Sequence, residues 1–131
     1  MASSRALAHS TYDDHHVAND SPLGLIARIF QTALLDTRRA QIAIDADDFA
    51  AKGQAIGRLL RALSLLQGSL DMEKGEEVAA NLDRLYNYFI TQVSRANVEH
   101  AAAPLAEIEP LITELGEAWQ QAAQEKAESA A

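Results

Sequence analysis

The chain has 131 residues, 19 Asp and Glu against 11 Lys and Arg, and a formal net charge of -8. This length suits one domain with its own core, and an acidic chain without a Lys/Arg stripe is a poor ligand for nucleic acid or anionic lipid. The chain has no cysteine, which excludes disulfides, thiolate metal sites and cysteine nucleophiles. Because no apolar run approaches the roughly 18 residues that span a bilayer, and 1–10 lacks the apolar centre of a secretory signal, we expect a cytoplasmic protein without membrane insertion.

The N-terminal part of the chain divides into an arm and a helix. Residues 1–20 carry isolated apolar side chains without a helical or alternating period, which predicts a flexible arm. Ser21 and Pro22 then indicate an N-cap followed by proline at the first helical position. Apolar residues recur at three- and four-residue steps over 23–44, so a first helix should face a core. The acidic segment 45–48 is typical of a break that caps the next helix.

Two further apolar stripes follow this break. The second helix is predicted over about 49–70, with Phe49 as the first residue of its core-facing seam. The third is predicted over about 76–100, with Val78 as the first residue of a stripe that has charged residues opposite.

The fourth stripe, at 105–122, contains a complication. Pro110 would delete an internal hydrogen bond and kink a helix that started before it, at a cost of roughly 3 kcal/mol. We therefore expect the ordered helix to begin nearer Glu107. An Ala-, Gln- and Glu-rich segment follows at 123–131, where we expect fraying.

The four stripes define the expected architecture. Helices of this length that are joined by short connections run antiparallel to their neighbours. The predicted fold class is all-α, an antiparallel four-helix bundle. The chain then divides into a flexible N-terminal arm at 1–20, the bundle at 21–122 and a frayed C-terminal tail at 123–131.

Metal and catalytic sites, which helical bundles often carry, have little support in this sequence. The chain lacks the Glu-x-x-His pairs of di-iron bundles, and His15 and His16 are adjacent on a flexible arm, where they converge poorly on a metal. The acidic segment 45–48 lacks the glycine and the bidentate glutamate of a calcium loop. His100 lacks the nearby Lys-Gly of histidine phosphotransfer domains, which leaves phosphotransfer as a minor alternative. We predict a protein that is not an enzyme and uses no cofactor or metal.

Two segments on either side of the junction between the second and third helices are distinctive. They are Leu70-Asp71-Met72-Glu73-Lys74-Gly75 and Leu85-Tyr86-Asn87-Tyr88. With Ser21-Pro22 before them and Leu115 and Trp119 after them, these segments resemble the flagellin export chaperones of the FliS family. The resemblance covers roughly 12–119, although the acidic first turn usual in that family is missing here.

The resemblance implies a cytosolic chaperone that binds the C-terminal segment of flagellin, prevents its early polymerisation and delivers it to the flagellar type III export gate. Such a segment is disordered alone and needs apolar grooves between helices. The apolar positions outside the core stripes are the candidate client-binding residues: Leu35, Ile42, Leu65, Tyr88 and Ile90. The family also keeps a tyrosine-containing segment over the groove when no client is bound, which implies that Tyr12 and Val17 form a displaceable plug.

The joint itself, 70–75, has two interpretations. A mainly structural role is favoured, in which Asp71 caps or ends a helix and Gly75 eases the turn. The alternative is a docking surface. For the whole protein, the alternative function is a helical regulatory adaptor that binds another flagellar protein, such as an anti-sigma factor or an export component.

Overall fold

A computed structural model describes residues 21–130. The described chain forms four helices: α1 at Pro22–Asp45, α2 at Phe49–Gly68, α3 at Glu76–Glu99 and α4 at Ala103–Ala130. Both α1 and α3 pack against α2 and α4, so the helices form a ring in which neighbours in the chain are neighbours in space. Short connections make these neighbours antiparallel. This architecture confirms the predicted all-α four-helix bundle.

The helix starts follow from local capping, as the sequence predicts. The Ser21 hydroxyl accepts a hydrogen bond from the Gly24 N–H over 2.9 Å, and Pro22 occupies the first turn of α1. The Asp48 carboxylate accepts from the Ala51 N–H over 3.1 Å and caps α2. These bonds satisfy N–H groups that have no partner within the helix.

The core lies along the bundle axis and contains side chains from all four helices. Aromatic residues occupy its centre, where the Tyr86 ring centroid lies 6.3 Å from that of Phe30 and 6.5 Å from that of Phe89. At Gly116, a Cβ atom would lie only 3.2 Å from the Cβ of Phe30. Glycine therefore lets α4 approach α1 closely.

Three residues that the sequence pattern places in the core are exposed: Leu111, at 37%, and two that are more exposed still. Phe49 is 65% exposed and Val78 is 67% exposed. Both lie in the first turn of a helix, where helical periodicity gives the direction of a side chain but does not show whether a neighbouring helix covers it. Phe49 instead stacks on the ring of His100, with the centroids 4.7 Å apart.

Helix α4 begins earlier than expected. It starts at Ala103 and continues through Pro110, so the predicted start near Glu107 is wrong. Pro110 is exposed, whereas Leu105, Ile108 and Ile112 are fully buried. Burial of three such side chains contributes about 1.5–3 kcal/mol each, which outweighs the roughly 3 kcal/mol that an internal proline costs.

Helix α4 continues through 123–130, the segment expected to fray, and Ala123 is buried. Tyr12, Val17 and the rest of the arm at 1–20 lie outside the described residues, so the division into arm, bundle and tail stays a prediction. None of the four described helices combines the length and apolar character that crossing a membrane requires.

Candidate functional site

A groove runs between the outer sides of α1 and α2. One depression of about 390 Å³ is lined by the apolar residues Leu25, Ile29 and Leu65. A second depression, of about 260 Å³, is lined by Ile42 together with the small residues of both helices. Because Arg58 lines both depressions, we treat them as one feature, the α1/α2 groove.

Three of the five predicted client-binding residues lie on this side of the bundle. Leu65 is 61% exposed and Ile42 is 69% exposed, and both line the α1/α2 groove. Leu35 is also exposed. It lies two helical turns before Ile42, on the same face of α1. The structure therefore brings Leu35, Ile42 and Leu65 to one surface.

Tyr88 and Ile90 belong to another surface, on α3. Both are half-buried and pack against the core, and the Tyr88 ring centroid lies 6.0 Å from that of Phe89. Partial desolvation, together with a hydrogen bond to the Glu107 carboxylate, raises the pKa of the Tyr88 hydroxyl. Ile90 lines a shallow depression beside the exposed Val98. Only the exposed part of each of these two side chains is therefore accessible to a client.

Arginines flank the α1/α2 groove, although the protein as a whole is acidic. Arg28, Arg58 and Arg61 line its first depression, and Arg39 and Arg58 line its second. Four of the 11 Lys and Arg residues therefore lie along this single groove. Guanidinium groups are well suited to planar anions because they donate paired hydrogen bonds.

A buried carboxylate that sequence analysis missed holds two of these arginines. Asp36 is fully buried. Its Oδ1 accepts from the Arg58 Nε–H over 3.1 Å and lies 3.5 Å from Nη1 of Arg39. Its Oδ2 is buried and has no hydrogen-bond partner within 21–130. The burial of Asp36 could have been predicted from its sequence position. It lies about one helical turn from Ala33 and from Ala40, on the core-facing side of α1.

A second groove, between α1 and α4, differs in polarity. Its depression of about 330 Å³ has an apolar floor that includes Phe30, Leu34 and Ile112. Its polar lining contains Gln31 and Glu117, together with further amide side chains, and no cationic residue. Sequence analysis missed this groove because Phe30 and Ile112 on its floor belong to the core stripes. The two grooves share α1 but present different charges to a bound segment.

The joint at 70–75 is held by hydrogen bonds between its own residues. Oδ1 of Asp71 accepts from the Lys74 N–H over 3.0 Å, and the Asp71 carbonyl accepts from the Gly75 N–H over 2.7 Å. A Cβ at Gly75 would lie 2.7 Å from that carbonyl oxygen and 2.6 Å from the Cβ of Ala79. Glu76 has a positive φ of 48°. These contacts support a structural role for Asp71 and Gly75, whereas Met72, Glu73 and Lys74 are exposed.

His100 is also engaged in structural contacts. It ends α3 in a left-handed conformation. Its Nε2 lies 2.7 Å from Oδ1 of Asp47, and its Nδ1 lies 3.0 Å from Nζ of Lys52. With Phe49 stacked on its ring, His100 connects the start of α2 to the end of α3. Both ring nitrogens have partners, which disfavours a phosphotransfer role, and the part of the chain from 21 to 130 contains no cluster of His, Asp and Glu that could hold a metal ion.

Comparison with known proteins shows the family of this chain. The family model described as flagellar protein FliS matches residues 4–126. The flagellar secretion chaperone FliS of Salmonella typhimurium is 36% identical over 106 residues, which are 80% of this chain and 78% of the relative. FliSB of Pseudomonas aeruginosa, also a flagellar secretion chaperone, is 33% identical over 79% of this chain and 82% of its own length. The FliS of Bacillus subtilis is 26% identical over 88% and 86%. The chain belongs to the FliS family of flagellar proteins.

Proposed function

We propose that this protein is a cytoplasmic flagellar secretion chaperone without catalytic activity. Its client is the C-terminal segment of flagellin, which it keeps from polymerising early and delivers to the flagellar export apparatus. The support comes from the relatives named flagellar secretion chaperones and from the apolar surface between α1 and α2.

The observation that carries the proposal is the exposure of large apolar side chains along one groove. Leu25 is 53% exposed, and Ile42 and Leu65 are more exposed still, although all three line the α1/α2 groove. Clustered apolar exposure of this kind marks a binding surface more often than scattered single residues do. An amphipathic client segment would bury these side chains, and each fully buried one contributes about 1.5–3 kcal/mol before the cost of ordering the client is subtracted.

The position of α1 favours an extended client. The α1/α2 groove and the groove between α1 and α4 lie on either side of this helix. A disordered segment that folds on binding can wrap a surface larger than a single groove offers. We infer that the client contacts both grooves, with apolar side chains against Leu65 on one side and Leu34 on the other.

The N-terminal arm is proposed to cover the α1/α2 groove when no client is bound. The arm joins α1 at Ser21, next to the depression that contains Leu25. Tyr12 precedes Ser21 by nine residues, and an extended chain of that length spans up to about 30 Å, enough to follow most of the groove. Tyr12 and Val17 are the side chains that would compete with the client.

Substitutions in the groove test the proposal. Ile42→Ser and Leu65→Ser each remove an exposed apolar side chain without touching the core, and we expect each to weaken flagellin binding by about tenfold because apolar burial is lost. Val78→Ser, at a comparably exposed residue of α3 that lines neither groove, is the matched control and should bind like the unchanged protein. Unaltered affinity in both groove variants would show that the client binds elsewhere. If the unchanged protein itself did not bind flagellin, the adaptor function would replace this proposal.

A further inference from the structure

Two arginines in the first depression of the α1/α2 groove differ from the others in the described chain. Arg28 and Arg61 line the depression with Leu25 and Leu65, and neither has a carboxylate or hydrogen-bonding partner within 21–130. Every other described arginine contacts a polar partner. These pairs are Arg38 with Glu109, Arg39 and Arg58 with Asp36, Arg84 with Asn81, and Arg95 with Glu99.

The charge of the depression follows from this arrangement. Arg28, Arg58 and Arg61 line it, and Asp36, which pairs with Arg58 through one oxygen, is the carboxylate buried beside them. The Arg58 bond uses only its Nε–H, so the terminal N–H groups of its half-exposed side chain remain available as donors. The depression is therefore locally positive on a protein whose net charge is -8. An apolar pocket with unpaired guanidinium groups is suited to a ligand that joins an apolar side chain to a carboxylate.

We propose that this depression binds the free α-carboxylate at the C-terminus of the client, paired with Arg28 and Arg61. The apolar side chains next to that terminus contact Leu25, Ile29 and Leu65. The inference rests on the proposed function, since a C-terminal flagellin segment carries this carboxylate whatever its other residues are. Capture of a terminal carboxylate by fixed donors is a recurring mode of peptide recognition.

The geometry also explains why the anion would bind in this groove and not in its neighbour. The groove between α1 and α4 offers amide groups and Glu117, which provide no cation to balance a carboxylate. Asp36 acts as a positioning residue, because its Oδ1 holds the Arg58 side chain against the same depression. The terminus of the client would thus be fixed at the end of α1 that carries Leu25, and the preceding residues would extend from there.

The test compares two synthetic peptides that carry the C-terminal sequence of the host's flagellin, one ending in a free acid and one in a carboxamide. With the full chain, we expect the acid to bind about tenfold more tightly than the amide, because a charge-assisted hydrogen bond is lost on amidation. In the double variant Arg28→Gln/Arg61→Gln, this ratio should fall to about one. Arg84→Gln removes the same kind of charge from the exposed side of α3 and should keep the tenfold ratio.

The outcomes separate this inference from the proposed function. Equal, tight binding of acid and amide would overturn the carboxylate site and leave the chaperone function intact. Failure of both peptides, together with failure of full-length flagellin, would remove the proposed function itself. If the acid-to-amide ratio were one in the full chain and stayed at one after removal of residues 1–19, the arm would not be masking a carboxylate preference, and the site would be overturned in the shortened chain as well. A further measurement uses only the unchanged chaperone. A peptide with three residues appended to its C-terminus should show the same loss of affinity as the amide.

Discussion

Arg58 on α2 donates its Nε–H to Oδ1 of the buried Asp36 on α1 over 3.1 Å, at the point where the two depressions of the α1/α2 groove meet. The same oxygen lies 3.5 Å from Nη1 of Arg39. A carboxylate in this position is desolvated, and one of its oxygens has no partner within 21–130. The ion pair therefore links the packing of two helices to the charge of the groove that they form.

Removal of this charge should weaken the fold. Asp36→Asn replaces the carboxylate with a neutral amide that is less able to balance two arginines, and it buries an amide N–H. We expect the free energy of unfolding to fall by about 2 kcal/mol, measured by urea denaturation. Asp45→Asn makes the same charge change at an exposed position and should alter stability by less than about 0.5 kcal/mol. Equal effects of the two variants would contradict the role given to Asp36.

Two glycine-to-alanine substitutions should have opposite effects. Gly75→Ala places a Cβ within 2.7 Å of the Asp71 carbonyl oxygen, so the joint must shift, and we expect a loss of about 1–3 kcal/mol in unfolding free energy. Gly53 lies inside α2, and a Cβ added there would meet nothing within 4 Å beyond its chain neighbours and the adjacent backbone of its own helix. Gly53→Ala should therefore gain about 1 kcal/mol from helix propensity. Thermal unfolding of both variants beside the unchanged chain measures the difference, and a stabilising Gly75→Ala would show that the joint is not tightly packed.

Ionisation of the buried Tyr86 should lower the stability of the fold at alkaline pH. Burial raises the pKa of Tyr86 from 10.0 to about 12. The unfolded chain therefore releases this proton at lower pH than the folded chain, and the stabilisation is complete below pH 10 and lost as the pH rises through about 12. In urea denaturation at increasing pH, Tyr86→Phe should lose less stability across this window than the unchanged protein. An identical pH dependence would mean that the hydroxyl titrates normally in the fold.

The arm yields a prediction about affinity. If Tyr12 and Val17 compete with the client, removal of residues 1–19 should tighten flagellin binding several-fold, because the client no longer displaces an intramolecular competitor. Proteolytic cleavage near Leu65 should also become faster in the shortened chain. The substitution Ser3→Ala within the arm provides a control that leaves both proposed plug residues in place. Unchanged affinity and unchanged proteolysis would eliminate the plug.

Most of the bundle is predictable from the sequence because the interactions that define each helix are local. The Ser21-Pro22 start, the Asp48 cap and the apolar stripes determine helix positions through contacts within a few residues. Pro110 misled the prediction because the propensity cost of proline is local, whereas the burial of Leu105 and Ile108 that offsets it depends on the other helices.

The candidate site is less predictable, because it depends on how helices face one another. Periodicity identified Leu35, Ile42 and Leu65 as outward-facing residues, and all three are exposed. It could not show that Arg58 lies opposite Asp36, since these residues are on different helices. Nor could it separate Tyr88 from the other candidates, since only the packed structure places its ring beside Phe89.

Calorimetric titration of this protein with full-length flagellin from its host, and in parallel with flagellin that lacks the C-terminal segment, tests the central claim most directly. We expect tight binding with a negative heat capacity change, because apolar side chains on both partners are buried. Truncation should abolish that binding. Equal binding of full-length and truncated flagellin would contradict recognition of the C-terminal segment, and absence of binding to either would contradict the chaperone function proposed for this chain.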